Sequence, residues 1–512
     1  LIIIKADEDN LASLKSILLN FSLATGLHIN FAKSTFAPIH VDPSVAARMA
    51  SMLGCSVATF PQNYLGLPLS THKLRLIDFH PLIAKVDKRL AGWRGHLLSA
   101  AGRAVLVNSV IRALPTYAMS VMLLPVGSIQ EIDKRCRAFF WAGDDHVNGG
   151  QCKVAWADVC APTKKGGLGF RCLRTHNICL LLKSLSKIHQ PGLGSWDSWL
   201  ASTYGWEGGH YIGDTHRLHT IVWMDLLYGL PFFRSITHVK IGNGVSTAFW
   251  LDLWIGNDTL AARFPSLFSH VTKPNVSVAF VLSAEDLRLS LQPRLTIAAT
   301  NELLCLRTVL ATVNLMPQVS DNRLCRINDK PLSVASAYGA AFSSRPDDQF
   351  SEFIWRKNYA TNRCRLFIWL AHRGRLFTNE RRFRRDLTDS DTCPFCSETE
   401  STSHMLIHCH VAAQAWMTVD SLNINPSDCS SIQDLQGRSP ACNFRNTVTM
   451  SILWSLWNRR NAKVFKQEDE SLGCVLRRAS QDLFLWAHRC GKENRKQILI
   501  DWGIMLSRLD VA

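Results

Sequence analysis

Hydrophobic residues recur at helical spacing along most of this chain. Near its start, the pattern predicts a helix that begins at Asp7 or Asp9, ends at Gly26 and has an apolar face formed by Leu11, Leu14, Leu18 and Phe21. The β-branched run from Leu1 to Ile4 before it predicts a strand. Two further short segments, 27–30 and 64–69, are also predicted to be extended.

Longer helical patterns follow. One helix starts at Asp78 and carries Leu82, Ile83, Val86 and Leu90 on one face. Another is capped by Ser99 and must end near Leu114, because Pro115 follows. Further helices are predicted over 128–141 and 175–189.

The pattern weakens between 190 and 345, where 246–251 reads as a short strand. Helices are predicted again over 352–385, 402–418, 443–467 and 470–490, and a polar linker over 423–439. Taken together, the elements indicate a mainly α, multi-domain protein with a small α+β part at its start.

Composition narrows the class of protein. A length of 512 residues exceeds one typical core, and about three or four domains are expected. Lys and Arg outnumber Asp and Glu 57 to 41, and the net charge of +16 indicates a polyanionic partner, either nucleic acid or an anionic ribosomal or membrane surface. The apolar runs are too short for a membrane-spanning helix, so a soluble protein is expected. Of the polyanions, nucleic acid is the partner we predict, and no membrane is among the predicted partners.

The sixteen cysteines are mostly scattered and no signal peptide precedes them. A secreted disulfide framework is therefore not expected, and the compartment is predicted to be intracellular, nucleus or cytoplasm. The sequence does not indicate an oligomeric state.

One short segment carries metal chemistry. In CPFCSETESTSHMLIHC, the residues Cys393, Cys396, His404 and Cys409 have the spacing C-x2-C-x7-H-x4-C. Three thiolates and one imidazole form the donor set of a closed, structural zinc site, which leaves no position for an activated water. The alternative is that unmetallated thiols lie together by chance.

The fourth ligand of this site has a competitor. His408 stands beside Cys409, and in a helix His404 and His408 share a face, whereas His404 and Cys409 do not. Cys409 can instead close the site where such a helix frays or ends. We predict Cys409 and keep His408 as the alternative.

An arginine-rich segment precedes the zinc loop. It carries eight arginines, interleaved with Phe367, Trp369, Phe377 and Phe383. Guanidinium groups bind phosphate bidentately, and aromatic rings stack on unpaired bases or pack in a core. The predicted nucleic-acid-binding residues are Arg363, Arg365, Arg373, Arg375, Arg381, Arg382, Arg384 and Arg385.

Three other patterns are interpreted as structural. Lys164 to Gly169 lacks the order of a phosphate-binding loop, and Asp144-Asp145 reads as a solvated loop rather than a two-metal site. Trp454 and Trp457, three residues apart, are predicted to serve helix packing. We predict no catalytic residues.

Ordered motifs run along nearly the whole chain. The first are Gly26 to Ser34, Tyr64 to Leu69, Trp93, Leu98 to Arg103 and Phe140-Trp141. The later ones are Gly166 to Gly169, Ile241 to Gly244, Phe249-Trp250, Trp355, Phe367 to Trp369, Arg375 and Thr378, followed by the four Cys and His residues. In this order they resemble the C-terminal part of plant non-LTR (LINE-type) retrotransposon reverse transcriptases, with their zinc-binding domain.

The resemblance implies a domain plan. Its segments are a truncated polymerase palm remnant (1–74), a helical thumb-like region (75–190), a connecting region (191–345), a small zinc-stabilised helical domain (346–421) and a C-terminal helical segment (440–512). It also implies RNA or DNA as partners, and Mg²⁺ only in the complete polymerase.

The sequence departs from the family in two places. The catalytic Asp-Asp hairpin is absent, and Leu1 to Ile4 would be its second strand; Thr361-Asn362-Arg363 replaces the usual Pro-Lys. We therefore expect a nucleic-acid-binding fragment without polymerase activity of its own. The alternatives are a decayed open reading frame without function and part of an intact RNA-directed DNA polymerase whose upstream exon is missing.

Overall fold

The computed structural model describes residues 1–91, 95–189, 194–207, 210–211, 220–283, 287, 289–436 and 443–509, and these are mainly helical. They form two compact units. The first comprises Leu1–Lys88, Leu114–Ile132 and Asn177–Ala337; the second comprises Arg89–Ala113, Asp133–His176 and Tyr338–Ala512. The five-segment domain plan stays a prediction, and its limits at 190/191 and 440, like Trp93, lie outside the described residues.

The helices and strands account for most of the described chain. The α-helices are Glu8–Thr25, Pro43–Leu53, His80–Ala91, Ala100–Ser109, Thr116–Met119, Val126–Trp141, Trp156–Val159, Leu173–His189, Ser195–Tyr204, Ile221–Ile236, Leu260–Arg263, Pro265–Phe268, Val278–Leu282, Ile297–Leu310, Val334–Ala341, Ser351–Trp355, Asn362–His372, Asn379–Phe383, His410–Thr418, Asn443–Asn461, Leu472–Ala487 and Glu493–Arg508. Two π-helical turns are His404–His408 and Ala462–Lys466. The strands are Thr35–Phe36, Ser56–Val57, Gln62–Tyr64, Leu67–Leu69, Trp206–Glu207, His210–Tyr211, Thr237–Lys240 and Asn322–Cys325. None of the described helices has the length and apolar character needed to cross a bilayer.

The first predicted helix forms as expected. Asp7 accepts a hydrogen bond from the backbone of Asn10, and Gly26 ends the helix with a φ of 72°. The strand predicted for Leu1 to Ile4 is wrong: these residues are exposed and pair with no strand of the described chain. A β-branched run without a hydrogen-bonding neighbour has no ladder to join.

Segment 64–69 forms the turn and second strand of a hairpin. Gln62–Tyr64 pairs antiparallel with Leu67–Leu69, and the turn residues Leu65 and Gly66 both have positive φ, 51° and 83°. This is the backbone of a two-residue hairpin turn, which the glycine makes accessible. Residues 27–30, also predicted extended, lie in irregular structure that leads into a 3-10 turn at Phe31–Lys33.

The middle of the first unit has its own core. Phe249, Trp250 and Val278 are fully buried there, with the flanking apolar side chains of 239–315 around them. The strand predicted for 246–251 is wrong, because the backbone turns instead around the carboxylate of Asp321. That carboxylate accepts hydrogen bonds from the backbone N–H groups of Gly242 and Gly244 at 2.9 and 2.8 Å.

The second unit is built around the helix Asn362–His372. Thr361 caps it by accepting a hydrogen bond from the backbone of Cys364, so the residue that departs from the family pattern still supports the helix. Trp369 is fully buried and donates its indole N–H to the carbonyl of Gly166 at 2.9 Å. The Gly-rich segment after Lys164 is thus a structural turn, as predicted.

The helix Asn443–Asn461 packs on this central helix. Phe367 lies between Trp454 and Trp457, with ring centroids 5.2 and 5.9 Å apart, which confirms that these tryptophans serve packing. The thiol of Cys364 contacts the carbonyl of Met450 at 3.5 Å. The helix therefore belongs to the same core as the segment that holds the cysteine-rich loop.

The linker predicted over 423–439 is wrong for its described part, 423–436. Ile424, Cys429, Ile432 and Leu435 are all buried there. A few apolar residues at intervals are enough to fix a polar segment to a core. The loop at Asp144-Asp145, in contrast, is exposed, as predicted.

Candidate metal centre and nucleic-acid interface

The first cysteine pair lies on a tight backbone turn. Cys393 donates its N–H to the carbonyl of Glu398 at 2.8 Å, and Thr392 forms a single antiparallel bridge with Thr399. The backbone N–H groups of Phe395 and Glu398 hydrogen-bond to the sulfurs of Cys393 and Cys396. Such N–H donors stabilise thiolates and orient them toward a shared cation.

The second ligand pair depends on a widened helical turn. His404–His408 forms one π-turn, in which the N–H of Cys409 donates to the carbonyl of His404 at 2.7 Å. Cys409 then leaves the helical conformation and precedes the helix His410–Thr418. Because of the wide turn and the non-helical backbone at Cys409, the Cys409 thiol lies in the cluster with His404. The side chain of His408 is exposed and lies outside the cluster.

The structure brings the four predicted ligands together. Their donor atoms all lie within 4.8 Å of one another. The sulfurs of Cys393 and Cys409 are 3.8 Å apart, and the sulfur of Cys396 is 3.2 Å from Nε2 of His404. A tetrahedral zinc ion with Zn–S bonds of about 2.3 Å separates two sulfurs by about 3.8 Å. The donor set and its spacing therefore fit a zinc ion.

The protonation of these side chains follows from their mutual contacts. The hydrogen bond with Cys409, followed by burial, raises the pKa of Cys393, and the same hydrogen bond lowers the pKa of Cys409. Burial lowers the pKa of His404, so its imidazole is neutral near pH 7. A neutral imidazole and an ionised thiol are the forms in which these groups bind a metal.

A buried ion pair joins this loop to the helix Asn443–Asn461. Glu400 and Arg460 are both fully buried and joined by two hydrogen bonds of 2.6 and 2.7 Å. Asn379 accepts a further hydrogen bond from Arg460 at 2.8 Å and donates to the carbonyl of Thr392 at 2.8 Å. This pair could not be predicted from the sequence, since its members are 60 residues apart and no local pattern links them.

Four of the eight predicted arginines line one cleft beside the cysteine-rich loop. This arginine cleft has a volume of about 390 Å³, and its lining residues are Gly374, Arg375, Thr378, Glu380, Arg381, Arg384, Arg385, Ser401, Thr402 and Ser403. Four guanidinium groups thus face one carboxylate, that of Glu380. Burial, together with Arg385 and Arg375, lowers the pKa of Arg381 to about 10. The cleft therefore carries uncompensated positive charge.

The other four arginines have structural contacts or lie elsewhere. Arg365 donates to the side chain and carbonyl of Asn358, and Arg373 donates to the carbonyl of Gly166. Arg382 donates to Asn379 and lies over the ring of Phe465. Arg363 is exposed over the ring of Trp454, with its guanidinium carbon 5.3 Å from the ring centroid. None of these four lines the cleft.

Lys153 is a further cation of this region, and it is not among the residues predicted from the sequence. Its ammonium lies 4.7 Å from the ring centroid of Phe377. Burial, followed by the charges of Arg381, Arg103 and Arg385, lowers the pKa of Lys153 to about 8. No local pattern marks this lysine, because the arginines that surround it come from distant parts of the chain.

The aromatic residues of the arginine-rich segment divide in a similar way. Phe367 and Trp369 are buried in the core, whereas Phe377 is half-buried and Phe383 is exposed. The core interpretation is thus confirmed for the first two. Phe377 instead stands among cations, with Arg381 and Arg385 at 5.8 and 5.6 Å from its centroid.

Comparison with known proteins agrees with the position of this site. A family model described as zinc-binding in reverse transcriptase matches residues 332–416, which contain the four Cys and His ligands and the whole arginine cleft. An uncharacterized mitochondrial protein of Arabidopsis thaliana is 30% identical over 149 residues, which cover 29% of this chain and 96% of that protein.

Two longer relatives extend the match. A putative ribonuclease H protein of Arabidopsis thaliana is 25% identical over 78% of this chain, and the match spans 66% of that protein. The uncharacterized 149 kDa protein of transposon TX1 from Xenopus laevis is 29% identical over 22% of this chain and 8% of its own length. The chain therefore belongs, as its motifs predict, to the retrotransposon-derived reverse transcriptases and represents a C-terminal part that includes their zinc-binding domain.

Proposed function

We propose that this chain binds RNA or DNA through the arginine cleft and that Cys393, Cys396, His404 and Cys409 hold a structural Zn²⁺. One observation carries the proposal: the loop between Cys396 and His404 also supplies Ser401, Thr402 and Ser403 to the cleft wall. Holding the ligands in place therefore also holds one wall of the cleft in place.

The cleft has the chemistry of a phosphate site. Guanidinium groups recognise phosphate oxygens bidentately, and hydroxyl groups donate to the same oxygens. Contacts of this kind position a nucleic-acid backbone without reading its sequence. The chain's net charge of +16 acts in the same direction over longer distances.

The proposed role of the metal is to stabilise the fold of the site and not to take part in a reaction. Four protein ligands complete a tetrahedral coordination, so a bound Zn²⁺ supplies folding energy and no activated water. In a complete reverse transcriptase, the same region would hold template RNA or target DNA. Polymerisation itself depends on Mg²⁺ ligands that we do not assign to any residue of this chain.

Binding to labelled RNA and DNA over a series of KCl concentrations tests the proposal. The logarithm of the affinity of the full chain should fall linearly with the logarithm of the salt concentration. Arg381→Ala and Arg384→Ala should each weaken binding to all sequences and reduce the salt slope by about 1, because each removes one phosphate contact. Fluorescence anisotropy measures both quantities.

The matched control is Arg363→Ala, which removes an exposed arginine that does not line the cleft. Its affinity and salt slope should equal those of the unaltered chain. The proposal is wrong if the zinc-loaded chain binds neither RNA nor DNA, or if all three arginine variants lose the same affinity.

A further inference from the structure

A second cleft adjoins the arginine cleft at Arg385, which lines both. It has a volume of about 650 Å³, within the range of about 300–1,000 Å³ that is typical of small-molecule sites. Trp141, Phe377 and Leu387 give it apolar walls, and Lys153 lies among them. We call it the aromatic cleft.

Charge and aromatic surface meet at Phe377. The ammonium of Lys153 and the guanidinium groups of Arg381 and Arg385 all lie within 6 Å of its ring centroid, at 4.7, 5.8 and 5.6 Å. Phe377 lines the aromatic cleft, and two of these cations, Arg381 and Arg385, line the arginine cleft. Arg385 also donates a hydrogen bond to the carbonyl of Gly150, which fixes it to the rim of the aromatic cleft.

The cations at this junction have few acidic partners. No carboxylate of the described residues forms an ion pair with Lys153 or Arg385, and Glu380 pairs with Arg384. A ligand that suits both clefts must therefore be anionic at one end and flat and apolar at the other. A nucleotide in a strand has this combination, since its phosphate carries the charge and its base is a planar ring that stacks on aromatic side chains and on arginine.

Base pairing decides which nucleic acid can use both clefts. A duplex presents its phosphates but keeps its bases stacked inside the helix, so it can occupy the arginine cleft alone. We propose that the aromatic cleft takes one unpaired nucleobase while an adjacent phosphate lies in the arginine cleft, so that the chain selects single-stranded nucleic acid. This inference rests on the proposed function and specifies its substrate class.

Three labelled ligands of equal length test the selection with the full, zinc-loaded chain. They are a single strand, the corresponding duplex, and an abasic strand in which tetrahydrofuran units carry the same phosphates without bases. Stacking of one base contributes roughly five-fold or more to affinity. The single strand should therefore bind at least about five-fold more tightly than the abasic strand and also more tightly than the duplex.

Two phenylalanines of the same segment provide a matched pair of variants. Phe377→Ala should weaken binding of the single strand about five-fold and leave the abasic strand unchanged, because only the base loses its contact. Phe383→Ala removes an exposed ring that lines neither cleft and should change neither affinity. A merely structural role of Phe377 would weaken both ligands together.

Lys153→Gln separates charge from stacking. It should weaken the single strand and the abasic strand by the same factor, because the ammonium acts on phosphates that both ligands carry. Fluorescence quenching of a 2-aminopurine base placed in the single strand should persist in Lys153→Gln and be lost in Phe377→Ala.

The possible results are distinct. Equal affinities for the single strand, the duplex and the abasic strand would overturn the base-binding inference and leave the arginine cleft as a phosphate site. Failure to bind any of the three ligands would overturn the proposed function as well. Trp141→Ala supplies an independent check, since it should reproduce the loss seen in Phe377→Ala.

Discussion

Two regions of this molecule have equally clear helix signals but differ in how they bury their apolar residues. In residues 1–88, Ile17, Leu19 and Leu23 of the helix Glu8–Thr25 are 64%, 46% and 82% exposed. In residues 332–416, which match the family model, Trp369 and Leu406 are completely buried. A clear helix signal in the sequence therefore does not determine how much of the helix's apolar surface is buried in a core.

The two regions also differ in their long-range polar contacts. The helix Glu8–Thr25 has an N-cap and a glycine end, and its ion pair between Glu8 and Arg48 is exposed. The region that matches the family model contains the cluster of three cysteines and one histidine, and its Glu400 forms a buried ion pair with Arg460 of the helix Asn443–Asn461. Local signals decide where a helix lies, whereas contacts between distant residues decide which of its faces becomes core.

Loss of a metal ligand should have the largest effect on the difference in stability between the two regions. Cys393→Ser removes one of four zinc ligands, and structural zinc sites contribute about 10–16 kcal/mol to the folding of small zinc domains. Residues 352–418 should lose their protection from hydrogen exchange, and the helices Glu8–Thr25 and Pro43–Leu53 should keep theirs. Hydrogen-exchange mass spectrometry and the zinc content of the purified chain measure both parts.

Cys429→Ser is the matched control, because Cys429 is also buried but lies outside the cluster. This variant should retain one zinc ion per chain and the exchange protection of 352–418. If Cys393→Ser behaves in the same way, the four residues do not form a structural metal site.

Breaking the buried ion pair should have the next largest effect. Glu400→Gln leaves the charge of Arg460 buried without its counter-ion, which typically costs about 3–5 kcal/mol. The helix Asn443–Asn461 and the loop around Thr392 should both exchange faster. Glu352→Gln, which breaks an exposed pair with Lys357, should leave exchange unchanged. Equal effects of the two variants would show that the buried pair does not hold the helix to the loop.

These long-range contacts also mark the limit of what the sequence could predict. Caps at Asp7 and Ser99 act within three residues, so they could be identified from the sequence. The cluster of Cys393, Cys396, His404 and Cys409 could likewise be predicted, because all four residues lie within one short segment of the sequence.

The arginines could not be sorted from the sequence alone. Arg373 and Arg381 lie eight positions apart in the same basic run, yet Arg373 donates to Gly166, 207 residues away, and Arg381 lines the arginine cleft. That the whole run binds nucleic acid remains a prediction; four of its eight arginines line the arginine cleft. Lys153 was missed for the same reason, since its neighbours in space are remote in sequence.

The smallest expected effect concerns the exposed face of the first helix. Leu23→Lys should change the stability of the helix Glu8–Thr25 by less than about 0.5 kcal/mol, because its side chain is 82% exposed. Leu11→Ala on the buried side, where Leu11 is 1% exposed, should cost about 2–5 kcal/mol. Hydrogen exchange across 8–53 gives both values. If Leu23→Lys destabilises the helix as much as Leu11→Ala does, another surface covers the exposed face of the helix in solution. The two regions would then differ in what covers their apolar residues and not in how much apolar surface they bury.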